Sequence, residues 1–379
     1  MRIFQNINYD FLGKRKIFYF ISGSLILLGL LNIIFRGLKF GIDFNGGSEI
    51  ILEFQKPVEL GYVRNNLQNI GIGNIEVKTY GADNRILLRT ELQNVPRSVY
   101  PRIIASVENE INNMQSGIAK RLVDSSITSV TYEFNNPETA NSVLNNLSNT
   151  GYQTGKVSEE PTNRQIEINI GISSWIKENL KVTMKDNPFK VIKEDKVGPK
   201  VGNELKEQAV IAVFLSLVVI LVYLAFRFKF VFSLGAVVAL FHNVLITLGI
   251  FSILYGVIPG LNLEIDLTIV AAFLTLVGYT INDTVVIFDR VRENMKIHKT
   301  LPLLDVINKS VNQNMSRTIL TGGTTLMTLL VLIFLGGEVL RAFSFTLFFG
   351  ILIGTYSSIF VASALVLDYV NKSKKKIQF

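Results

Sequence analysis

Long apolar runs separated by charged segments dominate the chain. About 20 apolar residues at 1.5 Å rise cross the hydrocarbon core of a bilayer as a helix, and six runs reach or approach that length. The pattern therefore predicts a multi-pass α-helical membrane protein with six transmembrane helices. The predicted spans are Ile17–Phe35, Gln208–Phe226, Phe230–Ile258, Leu267–Phe288, Thr318–Leu335 and Phe343–Leu367.

The first apolar run has two interpretations. Lys14-Arg15-Lys16 in front of an apolar segment is also the arrangement of a secretory signal peptide. The run is longer than a typical signal-peptide core, however, and no small-residue cleavage site follows it. We therefore expect an uncleaved first helix.

Residues 38–207 are polar and alternate between strand and helix patterns. Short runs rich in isoleucine and leucine indicate strands, and two longer periodic segments that follow prolines indicate helices. The region is therefore predicted to be an α+β domain. Its clearest elements are the strands Ser48–Phe54 and Arg85–Arg89 and the helices Val58–Gln68 and Ser98–Met114.

This polar region repeats itself at an offset of 80 residues, from Glu53 to Glu133. Chance similarity between asparagine-rich helices is one explanation, but duplication accounts better for this many identities at a single offset. We expect two tandem β-α-β-β-α units, each a ferredoxin-like half-open sheet backed by helices. The matching residues are Glu53-Phe54, Pro57, Val63, Asn65-Asn66-Leu67, Asn69 and Gly71, repeated as Glu133-Phe134, Pro137, Val143, Asn145-Asn146-Leu147, Asn149 and Gly151.

Charge decides the predicted orientation. The net charge is +8, and the lysines and arginines concentrate on alternate loops of the membrane region. By the positive-inside rule both termini are cytoplasmic and the polar domain lies outside. The segment Arg290–Ser316 is expected to form short polar or amphipathic cytoplasmic helices on either side of Pro302.

These patterns divide the chain into four regions. Residues 1–37 hold a cytoplasmic N-terminus and the first helix, 38–207 the extracytoplasmic domain, 208–371 helices two to six, and 372–379 a basic cytoplasmic tail. Within the outer domain the first unit covers about 38–124 and the second repeat unit about 125–195.

Asp283 is the strongest functional signal, because it lies inside an apolar span. It is five residues from the end of the run at Phe288, which is roughly 7–8 Å of helix. A buried carboxylate there must be paired, hydrated or protonated, so it is a candidate functional group. The alternative is that it only locks two helices together through hydroxyl groups. Its predicted polar neighbours on the same helix are Thr280, Asn282 and Thr284.

Arg317 opens the next predicted helix, at the same membrane face as Asp283. It is either an ordinary anchor to lipid phosphates or the partner of Asp283. The small and polar run that follows, from Thr318 to Thr325, favours a packed helix interface and hence the pairing.

His242 lies in the middle of a span, beside Asn243. It either relays protons or is hydrogen-bonded to a neighbouring helix. With no cysteine, disulfides and thiolate catalysis are excluded. We find no Walker motif, zinc spacing or nucleophile elbow, so neither an enzyme nor a metal site is predicted. The basic residues flank apolar segments, which favours lipid head groups over nucleic acid.

Several motifs resemble the SecF family, the membrane subunits that work with SecD in bacterial protein export and form a branch of the RND-type transporters. The resemblance covers nearly all of the membrane region and both edges of the outer domain. The motifs are Gly41-Ile42-Asp43-Phe44 with Gly46-Gly47, Val197-Gly198-Pro199 to Leu205, Val277-Gly278-Tyr279 through Asn294, Ser316-Arg317-Thr318, Gly337-Glu338-Val339 and Gly354-Thr355-Tyr356-Ser357-Ser358-Ile359-Phe360.

The resemblance implies half of an RND-type helix bundle in the bacterial inner membrane, with Asp283 and Arg317 in a proton pathway. It implies an accessory subunit of the Sec translocase, driven by the proton-motive force without a cofactor. The implied partners are SecD, the SecYEG translocon, the small protein YajC and unfolded preprotein. Thr318 and His242 join the residues expected to support the pathway.

Two departures from the family pattern limit this expectation. The family usually has His-Asp in the third helix, where this chain has His242-Asn243, so a relay through His242 lacks its carboxylate. The outer domain is also longer than a single unit. The other candidate functions are an RND-type small-molecule or lipid exporter and a scaffold in which Asp283 is structural.

Overall fold

The computed structural model describes residues 8–68, 70, 75–114, 117–126, 128–150, 152–258 and 261–373. The chain forms two units, one of Met1–Gly41 with Leu205–Phe379 and the other of Ile42–Glu204. Some residues of the predictions lie outside the described ranges: Asn69, Gly71, Gly151 and residues 374–379 of the basic tail.

The elements follow one another without long irregular segments. In chain order they are α1 (Arg15–Arg36), α2 (Ile42–Asn45), β1 (Gly47–Phe54), α3 (Leu60–Gln68), β2 (Ile75–Tyr80), β3 (Ala82–Thr90), α4 (Tyr100–Met114), β4 (Lys120–Ser125), β5 (Ser129–Phe134), α5 (Pro137–Asn149), β6 (Thr154–Lys156), β7 (Gln165–Asn169), α6 (Ile172–Thr183), β8 (Phe189–Val197), α7 (Pro199–Arg227), α8 (Phe230–Leu254), α9 (Leu267–Ile297), α10 (Leu303–Leu335), α11 (Gly337–Ser357) and α12 (Ser363–Ser373).

The unit Ile42–Glu204 contains two four-stranded antiparallel sheets of the same design. One has the strand order β2-β3-β1-β8, and the other has the order β6-β7-β5-β4. In each sheet a strand, a helix and a β-hairpin follow one another, as the repeat pattern predicted. The predicted α+β class is therefore confirmed.

The last strand of each repeat pairs with the other repeat. β4 follows α4 of the first repeat but pairs with β5, with Leu122 opposite Tyr132. β8 follows α6 of the second repeat but pairs with β1, with Asp195 opposite Glu49. Each sheet therefore consists of three strands from one repeat and one strand from the other. This exchange crosses the predicted boundary near residue 124.

The two repeats also share one hydrophobic core, and the apolar members of the repeated pattern are core positions. Val63 and Leu67 of α3 are fully buried, as are their counterparts Val143 and Leu147 of α5. Trp175 of the second repeat packs in the same core. Its indole Nε1 donates a hydrogen bond to the backbone oxygen of Ile70 in the first repeat (3.0 Å). The recurring apolar positions therefore line matching sides of a continuous core.

The Gly46-Gly47 pair forms the turn that starts β1. Both residues have positive φ, 73° and 118°, a conformation that favours glycine. A Cβ on Gly47 would lie 2.4 Å from the backbone oxygen of Thr90 on β3. The second glycine thus allows β1 to approach its neighbouring strand at its first residue.

Six helices of the other unit are long and apolar enough to cross a membrane within the described residues. They confirm the six predicted spans, each within the longer observed helices except for the last residues of Phe230–Ile258. α8 is the most enclosed of the middle helices and is packed by α1, α9 and α11. Where α1 and α8 cross, a Cβ on Gly29 would lie 2.8 Å from Cα of Gly249.

The prediction of separate short helices between Arg290 and Ser316 is wrong. α9 continues to Ile297, and α10 begins at Leu303 directly after Pro302, so the polar residues extend the two spans. The extensions pack on one another because the buried Asn294 Nδ2 donates to Ser310 Oγ (2.8 Å). Pro302 lacks an N–H but suits a helix start, which explains the break at this point.

We predict that residues 125–195 alone do not fold cooperatively, because they lack β1, nearly all of β4 and half of the shared core. Residues 42–204, which contain both sheets, should unfold cooperatively. Urea titration followed by circular dichroism compares the two fragments. A single cooperative transition in the 125–195 fragment would show that the exchanged strands are dispensable.

Candidate functional site

The carboxylate of Asp283 lies between α9 and α10. Its Oδ1 accepts a hydrogen bond from Thr318 Oγ1 of α10 (2.7 Å). Its Oδ2 is buried and has no hydrogen-bond partner among the described residues. A buried polar atom without a partner is costly, and such atoms concentrate at sites with a chemical role. The two oxygens of this carboxylate are therefore in different environments.

A small cavity of about 20 Å³ adjoins Asp283. This volume is large enough for about one water molecule. Residues of α9, α10 and α11 line it, and most of them are polar or small. They are Tyr279, Thr280, Asn282, Asp283, Val286, Arg317, Thr318, Thr321, Gly322, Ile351 and Thr355. The cavity offers the carboxylate room for hydration inside a helix bundle that is otherwise apolar.

Arg317 lines this cavity but forms no ion pair with Asp283 among the contacts of the described residues. Consecutive helical residues point about 100° apart, so the buried Thr318 faces α9 while Arg317 is exposed. The predicted direct pair is thus replaced by a hydrogen bond from the next residue. Arg317 remains close enough to share the cavity with the carboxylate.

The predicted contacts of Asp283 with its own helix are not formed. Thr280 Oγ1 donates to the backbone oxygen of Leu276 (2.8 Å), and Asn282 is exposed. Thr284 Oγ1 shares a hydrogen bond with Ser358 Oγ (2.8 Å), on the far side of α9 from Thr318. Of the predicted supporting residues, Thr318 alone is hydrogen-bonded to Asp283 in the described part of the chain.

His242 belongs to a second polar cluster, between α8, α1 and α11. Its Nε2 is hydrogen-bonded to Ser22 Oγ (2.9 Å) and its Nδ1 to Asn243 Oδ1 (3.1 Å). Ser22 Oγ is also hydrogen-bonded to the hydroxyl of Tyr356, which donates to the backbone oxygen of Phe18 (3.0 Å). No hydrogen bond of the described residues links this cluster to Asp283. The second interpretation of His242, a bond to a neighbouring helix, is therefore observed.

Gly354 of α11 lies between the two polar clusters. A Cβ at this position would lie 2.1 Å from Cγ2 of Thr280 and 3.5 Å from Nδ2 of Asn243. The backbone of α11 thus touches both α9, one turn before Asp283, and α8, beside His242. Just beyond it, Ser358–Ala362 form a π-helical turn. Such turns are frequent at functional sites, and this one begins at Ser358, the partner of Thr284.

Ser22 and Tyr356 were missed as partners of His242. Ser22 is one of two serines in a long apolar run, and neither its spacing nor its neighbours indicate a contact 220 residues away. Tyr356 lies within one of the motifs that carry the family resemblance. No other feature of the sequence indicated a role for this residue.

Comparison with known proteins identifies the family. The family model described as "Protein export membrane protein SecD/SecF, C-terminal" matches residues 176–372, and the model "SecD/SecF GG Motif" matches residues 33–58. The first includes Asp283, and the second includes the Gly46-Gly47 turn. The chain belongs to the SecD/SecF family.

Relatives named "Protein translocase subunit SecF" match over nearly the full length. The one from Rhodothermus marinus is 42% identical, over 97% of this chain and 95% of the relative. The one from Koribacter versatilis is 36% identical, over 97% of this chain and 93% of the relative. Matches this complete include the whole α+β unit with its two repeats. Within the family, the chain is thus similar to SecF subunits.

Solved structures of SecDF resemble the fold. SecDF from Thermus thermophilus, described as a translocon-associated membrane protein, has a TM-score of 0.64 and 29% identity, covering 97% of this chain and 39% of that chain. A SecDF structure in a super-membrane-facing form has a TM-score of 0.56 and 28% identity. This chain therefore spans about two fifths of the length of the SecDF proteins.

We predict that Gly354→Ala destabilises the protein by about 1–3 kcal/mol, because the added methyl group overlaps Thr280 in a packed helix contact. Gly323→Ala on α10 is the matched control, since a methyl group added there would have no atom within 4 Å. Thermal unfolding in detergent measures both variants. Equal stability of the two variants would contradict the close packing of α11 on α9.

Proposed function

We propose that this protein is an accessory subunit of the Sec translocase that uses the proton-motive force to promote preprotein export together with SecD. The family and the SecF-named relatives support the assignment to export. The observation that supports proton coupling is Asp283, whose one oxygen is bound to Thr318 and whose other is buried beside a cavity with room for water.

The proposed chemistry needs only the carboxylate and its neighbours. An ionised Asp283 has no donor for Oδ2, whereas a protonated Asp283 carries no charge and has one O–H to donate. Protonation therefore changes which contacts stabilise the interface between α9 and α10. Arg317, which lines the same cavity, is the cation available to the ionised form.

Two arrangements of this helix pair would act as a switch. In one, Thr318 is hydrogen-bonded to the protonated carboxyl group of Asp283. In the other, Arg317 moves into the cavity and pairs with the ionised carboxylate. A gradient that protonates Asp283 from one side and deprotonates it toward the other would alternate between them. In the family's mechanism such alternation moves the outer domain, which pulls or holds the emerging preprotein.

The membrane unit also exposes a polar surface of the kind that contacts another helix. Thr275, Gly278 and Asn282 are exposed along one face of α9, and Thr321 and Thr324 are exposed on the neighbouring α10. A methyl group added at Gly278 would have no atom within 4 Å. Small and hydroxyl-bearing residues are typical of helix interfaces in membranes, where lipid offers no hydrogen bonds. We propose that a SecD-type half, also of six helices, covers this face.

The remaining partners and the location follow from the same assignment. SecYEG, YajC and an unfolded preprotein are the proposed partners, and the bacterial inner membrane is the proposed location. The basic loops support a cytoplasmic location of both termini by the positive-inside rule, in which case the α+β unit would be extracytoplasmic.

We predict that Asp283→Asn abolishes the stimulation of export by a proton gradient. Asparagine keeps the size and a hydrogen-bonding oxygen for Thr318 but cannot be protonated and deprotonated near neutral pH. Precursor transport into vesicles that contain the complex, with and without an imposed gradient and at matched protein level, measures the effect. The rate with the gradient should fall to the rate without it.

Asp289→Asn on the same helix is the matched control. Asp289 pairs with Arg227 (3.1 Å) at a half-exposed position, so its change should leave stimulation intact. Arg317→Lys should retain part of the stimulation and Arg317→Met none, because lysine keeps the charge without the planar fork. Full gradient-dependent stimulation in Asp283→Asn would refute proton coupling and favour a structural role.

We predict that a cysteine in place of Gly278 forms a disulfide crosslink with a cysteine-bearing SecD-type partner. Oxidation of membranes that contain both chains, followed by gel electrophoresis, detects the heterodimer. A cysteine in place of Ala272, which is buried within this chain, should give none. Homodimers or monomers alone from the Gly278 position would contradict the proposed interface.

A further inference from the structure

A lysine of the α+β unit is buried without a hydrogen-bond partner. Lys177 of α6 is 5% exposed, and its Nζ bonds to no acceptor among the described residues. The Nζ atom of Lys177 lies 3.4 Å from the ring centroid of Tyr152. An aromatic ring attracts a cation much more weakly than an anionic group does. Lysine is almost never fully buried unless it is paired. Packing alone therefore does not account for this residue.

Lys177 lines a cavity in the described part of this unit. The cavity has a volume of about 590 Å³, within the range of small-molecule sites. It lies among α4, α6 and the start of β8, and thus between the two repeats. The lining residues are Ser106, Asn109, Glu110, Asn113, Thr150, Lys177, Glu178, Lys181, Met184, Lys185, Pro188 and Phe189.

When Lys177 is protonated, the charges around the cavity are unequal, with three lysines against two glutamates. The two glutamates are engaged: Glu110 pairs with Lys181 (2.8 Å), and Glu178 accepts a hydrogen bond from Ser106 Oγ. Lys177 and Lys185 have no carboxylate partner among the described residues. A single negative charge would therefore balance the lining.

The other lining groups indicate which further features a negatively charged ligand should have. The amide side chains of Asn109 and Asn113 can donate hydrogen bonds to anionic oxygens. Met184, Pro188 and Phe189 form an apolar part of the wall. A dianion such as phosphate would face Glu110 and Glu178 with an excess charge, whereas a carboxylate would not.

We propose that this cavity is a binding site for a carboxylate attached to an apolar group, with the Lys177 ammonium as its counter-ion. The carboxylate could be that of a free acid or of an acidic side chain in a peptide. The site is separate from Asp283 and goes beyond the proposed role in export.

Burial lowers the pKa of Lys177 to about 7. Among the charged groups that face it, Lys181 lowers this pKa further, whereas Glu110 and Glu178 raise it. A bound carboxylate adds another negative charge and raises the pKa, so the lysine takes up a proton on binding when the pH is above 7. Without ligand the neutral amine is easier to bury than the ammonium.

The test is calorimetric titration of the full-length protein in detergent at pH 8. The probes are N-acetyl-phenylalanine, its uncharged analogue N-acetyl-phenylalaninamide, and acetyl-Asp-Phe-amide. We expect the acid to bind and the amide not to bind. Binding of the third probe as well identifies an acidic side chain as the natural source, and its failure identifies a free carboxylate.

Lys177→Met is the decisive variant, because methionine fills a similar volume without the amine. It should weaken binding about tenfold or more, as expected for the loss of a charged hydrogen bond. Repeating the titration in buffers of different ionisation enthalpy should show proton uptake in the wild-type protein and none in Lys177→Met. Lys156→Met, at an exposed position of the same unit, is the control and should bind normally.

Three results would overturn the proposal: no binding of N-acetyl-phenylalanine by the wild-type protein, equal binding of the acid and the amide, or unchanged binding by Lys177→Met. Thermal unfolding of Lys177→Met establishes that any loss of binding is not a loss of fold. A variant that is folded, at least as stable as the wild-type protein, and unable to bind supports the assignment.

Discussion

The hydrogen bond from Thr318 Oγ1 to Asp283 Oδ1 defines the polar contact between two of the membrane helices. It joins α9 to α10 through one carboxylate oxygen and leaves the other buried beside a cavity of about 20 Å³. A carboxylate placed in this way is stable in the bundle only when a proton, a water molecule or a cation supplements Thr318. The close contact of Gly354 with Thr280 restricts α9 on the side of α11.

In the α+β unit the corresponding constraint is the exchange of β4 and β8 between the two repeats. Because each sheet borrows a strand, neither repeat can open without disturbing the other. The shared core, with Trp175 bonded to Ile70 of the other repeat, adds to this coupling. We therefore expect the unit to unfold as one cooperative body. The Lys177 cavity lies where its two halves meet.

Hydrophobic length was sufficient to predict the six spans, because a bilayer requires long apolar helices whatever their packing. The partner of Asp283 required the structure, since Thr318 and Arg317 are adjacent and the rotation of α10 decides which one faces α9. The Ser22–His242 contact joins residues 220 positions apart, which no local pattern encodes. The strand exchange was equally hidden, because the residues of β4 and β8 do not specify with which sheet each strand pairs. The predicted short helices between Arg290 and Ser316 are instead extensions of α9 and α10. Polar residues continue these helices because Pro302 is the nearest residue that interrupts a helix.

We propose that Asp283 changes its protonation state in the assembled complex. Infrared difference spectra between acidic and alkaline pH report this directly, through the carbonyl stretching band of a protonated carboxyl group. We expect a band that is present in the wild-type complex and in Asp289→Asn, and that disappears in Asp283→Asn. A band of unchanged size in Asp283→Asn would show that Asp283 does not titrate and that proton coupling through it is wrong.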